Sequence, residues 1–312
     1  MMHSIFLTLL DENLAEGREL FGKKFARRHL AYVRSRQLPN GGFAGKMGDA
    51  DPYYTDFGVR MLDMLGARRE ELEAAADYLQ GLNTRPKDIT DCFNRLNIAR
   101  ILARHDIECE IGREVIRDVI EEQRLPSGTF GRKGATQVSA YNTFLGMLCT
   151  EMLGEYVTTT PDAVVELAGL KRADAGYCDV PGESAGQTNA TAAALTVIGV
   201  IALLDEVDDA TFAFISAMQA PDGGLRAHAT APESDLLSTF TGIVTLSYPE
   251  MLGRLDLAAV GRFIQNVEAP GGGFRACGSD PEPDVEYTYY GLGAVALLRL
   301  HVARNRSAEE QP

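Results

Sequence analysis

The sequence has no tryptophan and only five histidines in 312 residues. So few imidazoles leave little material for a site built on several of them. Basic residues are also short: 30 Lys and Arg stand against 44 Asp and Glu, a net charge of −14. That balance excludes nucleic acid and an anionic membrane surface as natural partners, and the acid surplus reads as solubility. Cysteine occurs at 92, 109, 149, 178 and 277, an odd number, widely spaced and with no CxxC. This is no disulfide framework, and it fits a reducing cytoplasm. The longest apolar run, Ala190 to Leu204, has 15 residues. A bilayer span needs about 18–20, so a helix buried on all sides is expected there. The opening "MMHSIFLTLLDEN" has no basic flank and no small-residue cleavage site, which argues against a signal peptide. Nowhere does a convincing period-two alternation suggest strands.

What is present is a repeat. A small-residue turn followed by an aromatic or leucine ends at Phe43, Phe130, Tyr177, Leu225 and Phe274, at intervals of 87, 47, 48 and 49 residues. The first interval is nearly double the others, so a degenerate unit belongs near Lys87, in "NTRPKDITDCFNRLNIARILA". That makes six units of about 48 residues.

Each unit has the same grammar. An amphipathic helix with mixed charges comes first, such as "FARRHLAYVRSRQ" or "LAAVGRFIQNV". Punctuation such as "LPNGG" or "APGGG" then stops it. A polar loop follows, and then a more apolar helix such as "YTDFGVRMLDMLG". Six pairs of one wet and one apolar helix predict an all-α (α/α)6 toroid, a single domain over 1–305 with a short tail at 306–312. Small residues such as Ala190, Ala193, Gly291 and Gly293 suit close packing of the inner ring. The string "DEVDD" at 205–209 precedes an outer helix and reads as a cap with a first-turn acid cluster.

The units "PNGGFAGKMGDADPYYTDFGVRMLDMLG" and "APGGGFRACGSDPEPDVEYTYYGLGAVALL" resemble the prenyltransferase and squalene-cyclase repeat, most closely that of geranylgeranyl-type protein prenyltransferase β subunits. The resemblance runs over about residues 20–300. It implies a central cavity that takes an isoprenoid diphosphate, with transfer of the prenyl group as the activity, and a possible separate α subunit as protein partner. It also implies a zinc site of Asp, Cys and His that activates an acceptor thiol. Carried over, those ligands fall on Asp235, Leu237 and Tyr287, so two of the three are replaced. A diphosphate-binding histidine falls near Ala185 and a basic residue near Val138, and His228 replaces another basic position. No cofactor is therefore expected at the zinc position. A rebuilt metal set from Cys178, His228, Asp235, Cys277 and Asp284 is the alternative. No DxDD string stands at an inner-helix start, as a terpenoid cyclase of the family would require.

The candidate catalytic residues are Asp235, Asp284 and Tyr287. The candidate substrate-binding residues are the rim cations Lys46, Arg132, Arg226, His228 and Arg275, suited to a phosphate, and the aromatics Tyr53, Tyr54, Tyr141, Tyr289 and Tyr290, suited to a polyprenyl chain. Other acids at inner-helix starts, Asp51, Asp56, Asp91 and Glu286, serve as dipole complements or as acid–base groups. Two further readings compete with a transferase: a non-catalytic scaffold for an isoprenoid or a protein, and a carboxylate-dependent terpenoid cyclase or lyase.

Overall fold

The computed structural model describes residues 4–155, 160–200, 208–248 and 250–309. Six helices make an inner ring: α3 (Pro52–Leu65), α5 (Ile89–Arg104), α7 (Ala140–Met152), α9 (Thr188–Val200), α11 (Leu236–Ser247) and α13 (Val285–Glu309). Each packs against the next, and α13 returns to α3, so the ring closes. The outer partners are α2 (Lys23–Arg36), α4 (Arg69–Gln80), α6 (Arg113–Glu121), α8 (Pro161–Ala168), α10 (Asp209–Ala217) and α12 (Leu257–Val267). Among the described residues there are isolated bridges but no strand. The all-α toroid of six pairs stands as the sequence predicts.

The repeat exists because one lock recurs in five units. The backbone N–H of the turn residue donates to a buried threonine hydroxyl on the following inner helix: Phe43 to Thr55, Phe130 to Thr143, Tyr177 to Thr191, Leu225 to Thr239 and Phe274 to Thr288, at 2.8–3.1 Å. Its carbonyl accepts from the residue that opens that helix: Asp51, Ser139, Gln187, Asp235 or Asp284. Both polar groups of a buried turn are thus paired, which avoids about 1–3 kcal/mol for each group left unsatisfied. In four units the turn side chain also lies on a glycine one turn further along: Gly58, Gly146, Gly242 and Gly291. A Cβ at any of these would overlap the ring or leucine methyl above it.

The second unit lacks the lock. Cys92 stands where the threonine belongs and Arg95 where the glycine belongs. Arg95 reaches into the vacated place. It pairs with Asp91 at 2.8 Å and donates to the Thr84 carbonyl at 2.8 Å, so a buried ion pair replaces the aromatic plug. The Pro-containing loop that the sequence places near Lys87 is therefore held as firmly as the glycine turns are, by different chemistry.

The outer ring closes at a seam. Gly273 N–H donates to His29 Nδ1 at 3.1 Å, and His29 Nε2 meets Glu268 at 3.0 Å, where Arg28 also pairs. Accepting at Nδ1 puts the proton on Nε2, the neutral tautomer. His29 is fully buried and stacks on Phe274.

One element lies outside the repeat. Helix α1 (Ile5–Glu19) touches all six inner helices. It packs on α13, α3 and α9. Phe6 meets Phe144 of α7 and Tyr248 at the end of α11, and Asp11 is gripped by Arg100 and Arg104 of α5 at 2.8 Å each. A helix that reaches every inner neighbour must lie across the axis, so α1 is the floor of the ring. Asp208 caps α10 as expected, and Asp209 pairs with Arg254; residues 205–207 lie outside the described residues. Helix α13 runs on to Glu309, through most of the segment expected as a tail.

Two outcomes follow from this packing. Gly291→Ala forces a Cβ into Phe274 and should cost about 1–3 kcal/mol, whereas Gly261→Ala, on open helix α12 with nothing within 4 Å, should gain up to about 1 kcal/mol; thermal unfolding of the pair reads the contrast. Burial holds His29 below its ordinary imidazole value, with Glu268 opposing. The stability due to neutral His29 is therefore complete above the unfolded-chain value of about 6.5 and is lost as pH falls below it. Denaturation midpoints between about pH 7.5 and 5.5 should fall more steeply in the wild type than in His29→Gln.

Candidate functional site

Inner helices open at one mouth, five of the six with a short polar cap. The Asp51, Asp88, Ser139, Asp235 and Asp284 side chains accept from backbone N–H groups three residues on. Asp235 is used up by this work: Oδ1 takes Ser238 N–H and Oδ2 takes the Ser238 hydroxyl, both at 2.7 Å. Asp284 accepts from Tyr287 N–H at 2.9 Å. Burial pushes both carboxyls up. With Leu237 and Tyr287 at the other two positions, these residues do not fit a zinc ion. Among the described residues, no group of three or more His, Cys, Asp and Glu converges to hold a metal. The alternative metal set is not brought together either: Cys178 is buried with its thiol on the Val180 carbonyl, Cys277 faces Ser279, and His228 bonds Thr230.

The cations expected at the rim are mostly occupied. Lys46 pairs with Asp280. Arg132 pairs with Asp179 at 2.6 Å. Arg275 donates to the carbonyls of Asn266 and Asp280. For Lys46 and Arg132 the neutralising carboxylate comes from the loop of another unit, in a chain with an acid surplus. Arg226 has no carboxylate partner among the described residues, and its buried Nε is unpaired.

The aromatics do converge. Phe57 of α3, Phe240 of α11 and Tyr289 and Tyr290 of α13 form a collar of rings 5.4–5.9 Å apart across three helices. Tyr53 packs on Phe57 and Tyr54, and Tyr287 on Tyr290. Tyr289 is 3 % exposed and so belongs to the wall. Tyr141, from α7 on the far side, is pushed up to about 12 by burial and by Glu286 and Asp56, with Arg60 opposing. Its phenol thus lies among groups of α3 and α13, yet it is 42 % exposed.

Glu286, one of the acids at an inner-helix start, sits at this mouth. It accepts from Tyr53 at 2.7 Å, with the Tyr290 hydroxyl at 3.5 Å. Burial, reinforced by Asp284, raises its carboxyl despite the two tyrosines. A carboxyl so placed can hold or release a proton above the ordinary range.

Below the collar lies a polar chain that sequence patterning did not reveal. Arg60 pairs with Asp56 at 2.6 Å and lies 5.2–5.5 Å from the rings of Phe57, Phe93 and Tyr289. Asn97 donates to the other Asp56 oxygen at 2.6 Å, and Arg100 donates to Asn97 at 2.9 Å on its way to Asp11 of the floor. Burial raises Asp56 against the pull of Arg60, and Asp56 keeps Arg60 charged. The available signal was polar residues, Asp56, Arg60, Asn97 and Arg100, at positions of inner helices that the ring buries wholly or in part.

The family model of the prenyltransferase alpha-alpha toroid domain matches residues 7–82 and 88–311. The chain belongs to the prenyltransferase alpha-alpha toroid family. The match breaks only at 83–87, within the loop of the second unit. Among solved structures it is similar to Candida albicans protein geranylgeranyltransferase-I complexed with GGPP, at 12 % identity and a TM-score of 0.70, covering 87 % of this chain and 90 % of that one. A variant of the type II terpene cyclase MstE from Scytonema, in complex with geranylgeranyl dihydroxybenzoate, matches at 12 % identity and 0.62 over 95 % and 99 % of the two chains. A glycosidase in complex with glucose matches at 13 % and 0.57 over 94 % and 98 %. No curated protein matches the sequence. At these identities the structural likeness concerns the fold, and the fold carries at least three chemistries. No described helix is long and apolar enough to cross a membrane.

The buried pair gives a direct test. Arg60→Met strands Asp56 and should cost about 3–5 kcal/mol in chemical denaturation, and much of that should return in the Asp56→Asn, Arg60→Met double variant.

Proposed function

We propose that this toroid binds an isoprenoid in its axial space and acts on it as a prenyltransferase-type enzyme without the zinc-activated thiol step. The observation that carries the reading is the aromatic collar of Phe57, Phe240 and Tyr290 beneath the solvent-open Tyr141. A polyprenyl chain is apolar and rich in alkenes. Ring faces suit it by area and by the quadrupole that stabilises developing positive charge. Two neighbours of the same fold are described with a geranylgeranyl group, one as GGPP and one as a dihydroxybenzoate. The diphosphate of a prenyl substrate would meet Arg226 at the mouth, a rim cation with no hydrogen bond or carboxylate partner on its guanidinium among the described residues.

This chain's residues divide the work by position. The collar orients the tail and excludes water. Arg226 receives the anionic head. Glu286, with Tyr53 and Tyr290, is the group able to move a proton at the mouth. That last feature also favours a second reading, a carboxylate-dependent cyclase or lyase. It would give product from a prenyl diphosphate alone and lose it in Glu286→Gln. A toroid that only holds the isoprenoid is the outcome if binding occurs with no turnover.

Calorimetric titration separates tail from head. Wild-type protein should bind both geranylgeranyl diphosphate and geranylgeraniol, unchanged by a chelator. Tyr141→Ala should weaken both about tenfold, the loss of one well-buried aromatic contact. Arg226→Ala should weaken the diphosphate alone. Failure of both ligands to bind would overturn the proposal.

A further inference from the structure

Away from the axis, a cleft of about 300 Å³ opens in the outer wall between the loops of the second and third units. That volume is at the lower end of the size for small-molecule sites, about 300–1,000 Å³. One wall is Arg85, Pro86 and Lys87; the floor is Val119, Glu122 and Gln123 at the end of α6; the far wall is Lys133 and Gly134.

Its existence follows from the broken repeat. The second unit has no glycine turn and no aromatic plug. Its loop is held instead by the buried Arg95–Asp91 pair, 6 % and 8 % exposed, which grips the Thr84 carbonyl and the Lys87 N–H. The loop that presents Arg85 and Lys87 is thus fixed from beneath, and it is the segment where the family match lapses. Lys133 Nζ donates to the Lys87 carbonyl at 2.7 Å and ties the two walls together.

The charges point one way in a chain that is acidic overall. Arg85, Lys87 and Lys133 face a single carboxylate, Glu122, which pairs with Arg85 at 2.6 Å. The Lys87 ammonium has no partner among the described residues. The end of α6 does not offset this, because its last carbonyls are taken: Asp118 by Glu122 N–H, Val119 by the Gln123 amide, Ile120 by Gln123 N–H and Glu121 by Arg124 N–H. Holding the Val119 carbonyl fixes which way the Gln123 amide faces. Its oxygen, on a side chain only 4 % exposed, is left without a protein donor; as an acceptor it takes no part in holding an anion, a role that falls to the lysines.

We propose that this cleft binds a small phosphate monoester. Two surplus positive charges suit a dianion, Pro86 and Val119 provide an apolar wall for its organic part, and the point charges of Lys87 and Lys133, beside the Glu122-paired Arg85, suit a phosphoryl group. The site is separate from the axial mouth and does not depend on the function proposed there.

The test is titration of full-length protein with phenyl phosphate at low ionic strength. Wild type should bind, and added salt should weaken binding. The Lys87→Ala, Lys133→Ala double variant, whose changes are on exposed side chains, should lose affinity about tenfold or more, while Arg226→Ala should not change it. No binding to wild type, equal binding to the double variant, or loss in Arg226→Ala alone would each overturn the assignment, the last by placing the anion at the ring mouth.

Discussion

Everything in this molecule hangs on the bond from a turn N–H to a threonine hydroxyl. A glycine turn must be buried for two rings of helices to meet, and a buried turn carries backbone groups that water cannot reach. Thr55, Thr143, Thr191, Thr239 and Thr288 answer that need in the same way. Because each threonine sits one turn inside an inner helix, the bond also sets where that helix begins. The caps are set by the same geometry, and so is the level of the mouth. Residues at similar distances from their caps end at similar depth: Phe240 and Tyr289 stand five residues after Asp235 and Asp284, and Phe57 and Tyr290 six after Asp51 and Asp284. The collar is thus a consequence of the lock.

That explains which parts of the structure were legible beforehand. Four of the five turn side chains recur because each fills the space above a glycine, and the spacing of the five displayed the repeat and the ring. The second unit's position was also legible, but its mechanism was not, because an arginine in a glycine's place gives no periodic signal. Helix α1 carries a readable stripe of Leu7, Leu10 and Leu14 ending in Gly17, but nothing in a stripe says that it crosses an axis. The rim was legible by residue type only. Whether Lys46 is free depends on Asp280, which lies 234 positions away in sequence, and one chain carries no sign of that pairing.

The acid surplus is not spread evenly, and its arrangement bears on chemistry. Carboxylates at helix starts are first of all caps, with both oxygens of Asp235 committed to Ser238. A carboxylate whose oxygens already accept two hydrogen bonds has few lone pairs left for a metal. Glu286 differs because it stands one residue past the start of its helix, bonded to tyrosine hydroxyls. Those partners can reverse direction, with a phenol donating to a carboxylate or accepting from a carboxylic acid. Of the acids at the mouth, Glu286 is the one whose surroundings tolerate both protonation states.

The polar chain beneath the collar sharpens the point. Asp56, Arg60, Asn97, Arg100 and Asp11 link the wall to the floor through bonds of 2.6–2.9 Å. Buried ion pairs add little net stability compared with apolar packing of the same volume, because desolvation offsets the attraction. Their value is specificity. An apolar floor helix could settle on a ring of apolar helix ends in several registers. One aspartate held by two arginines of α5 admits a single register, and that register brings Phe6 to Phe144 and Gly17 to Ala296. The register of the floor helix is therefore fixed by charge, while the ring above it is fixed by the turn-to-threonine bonds.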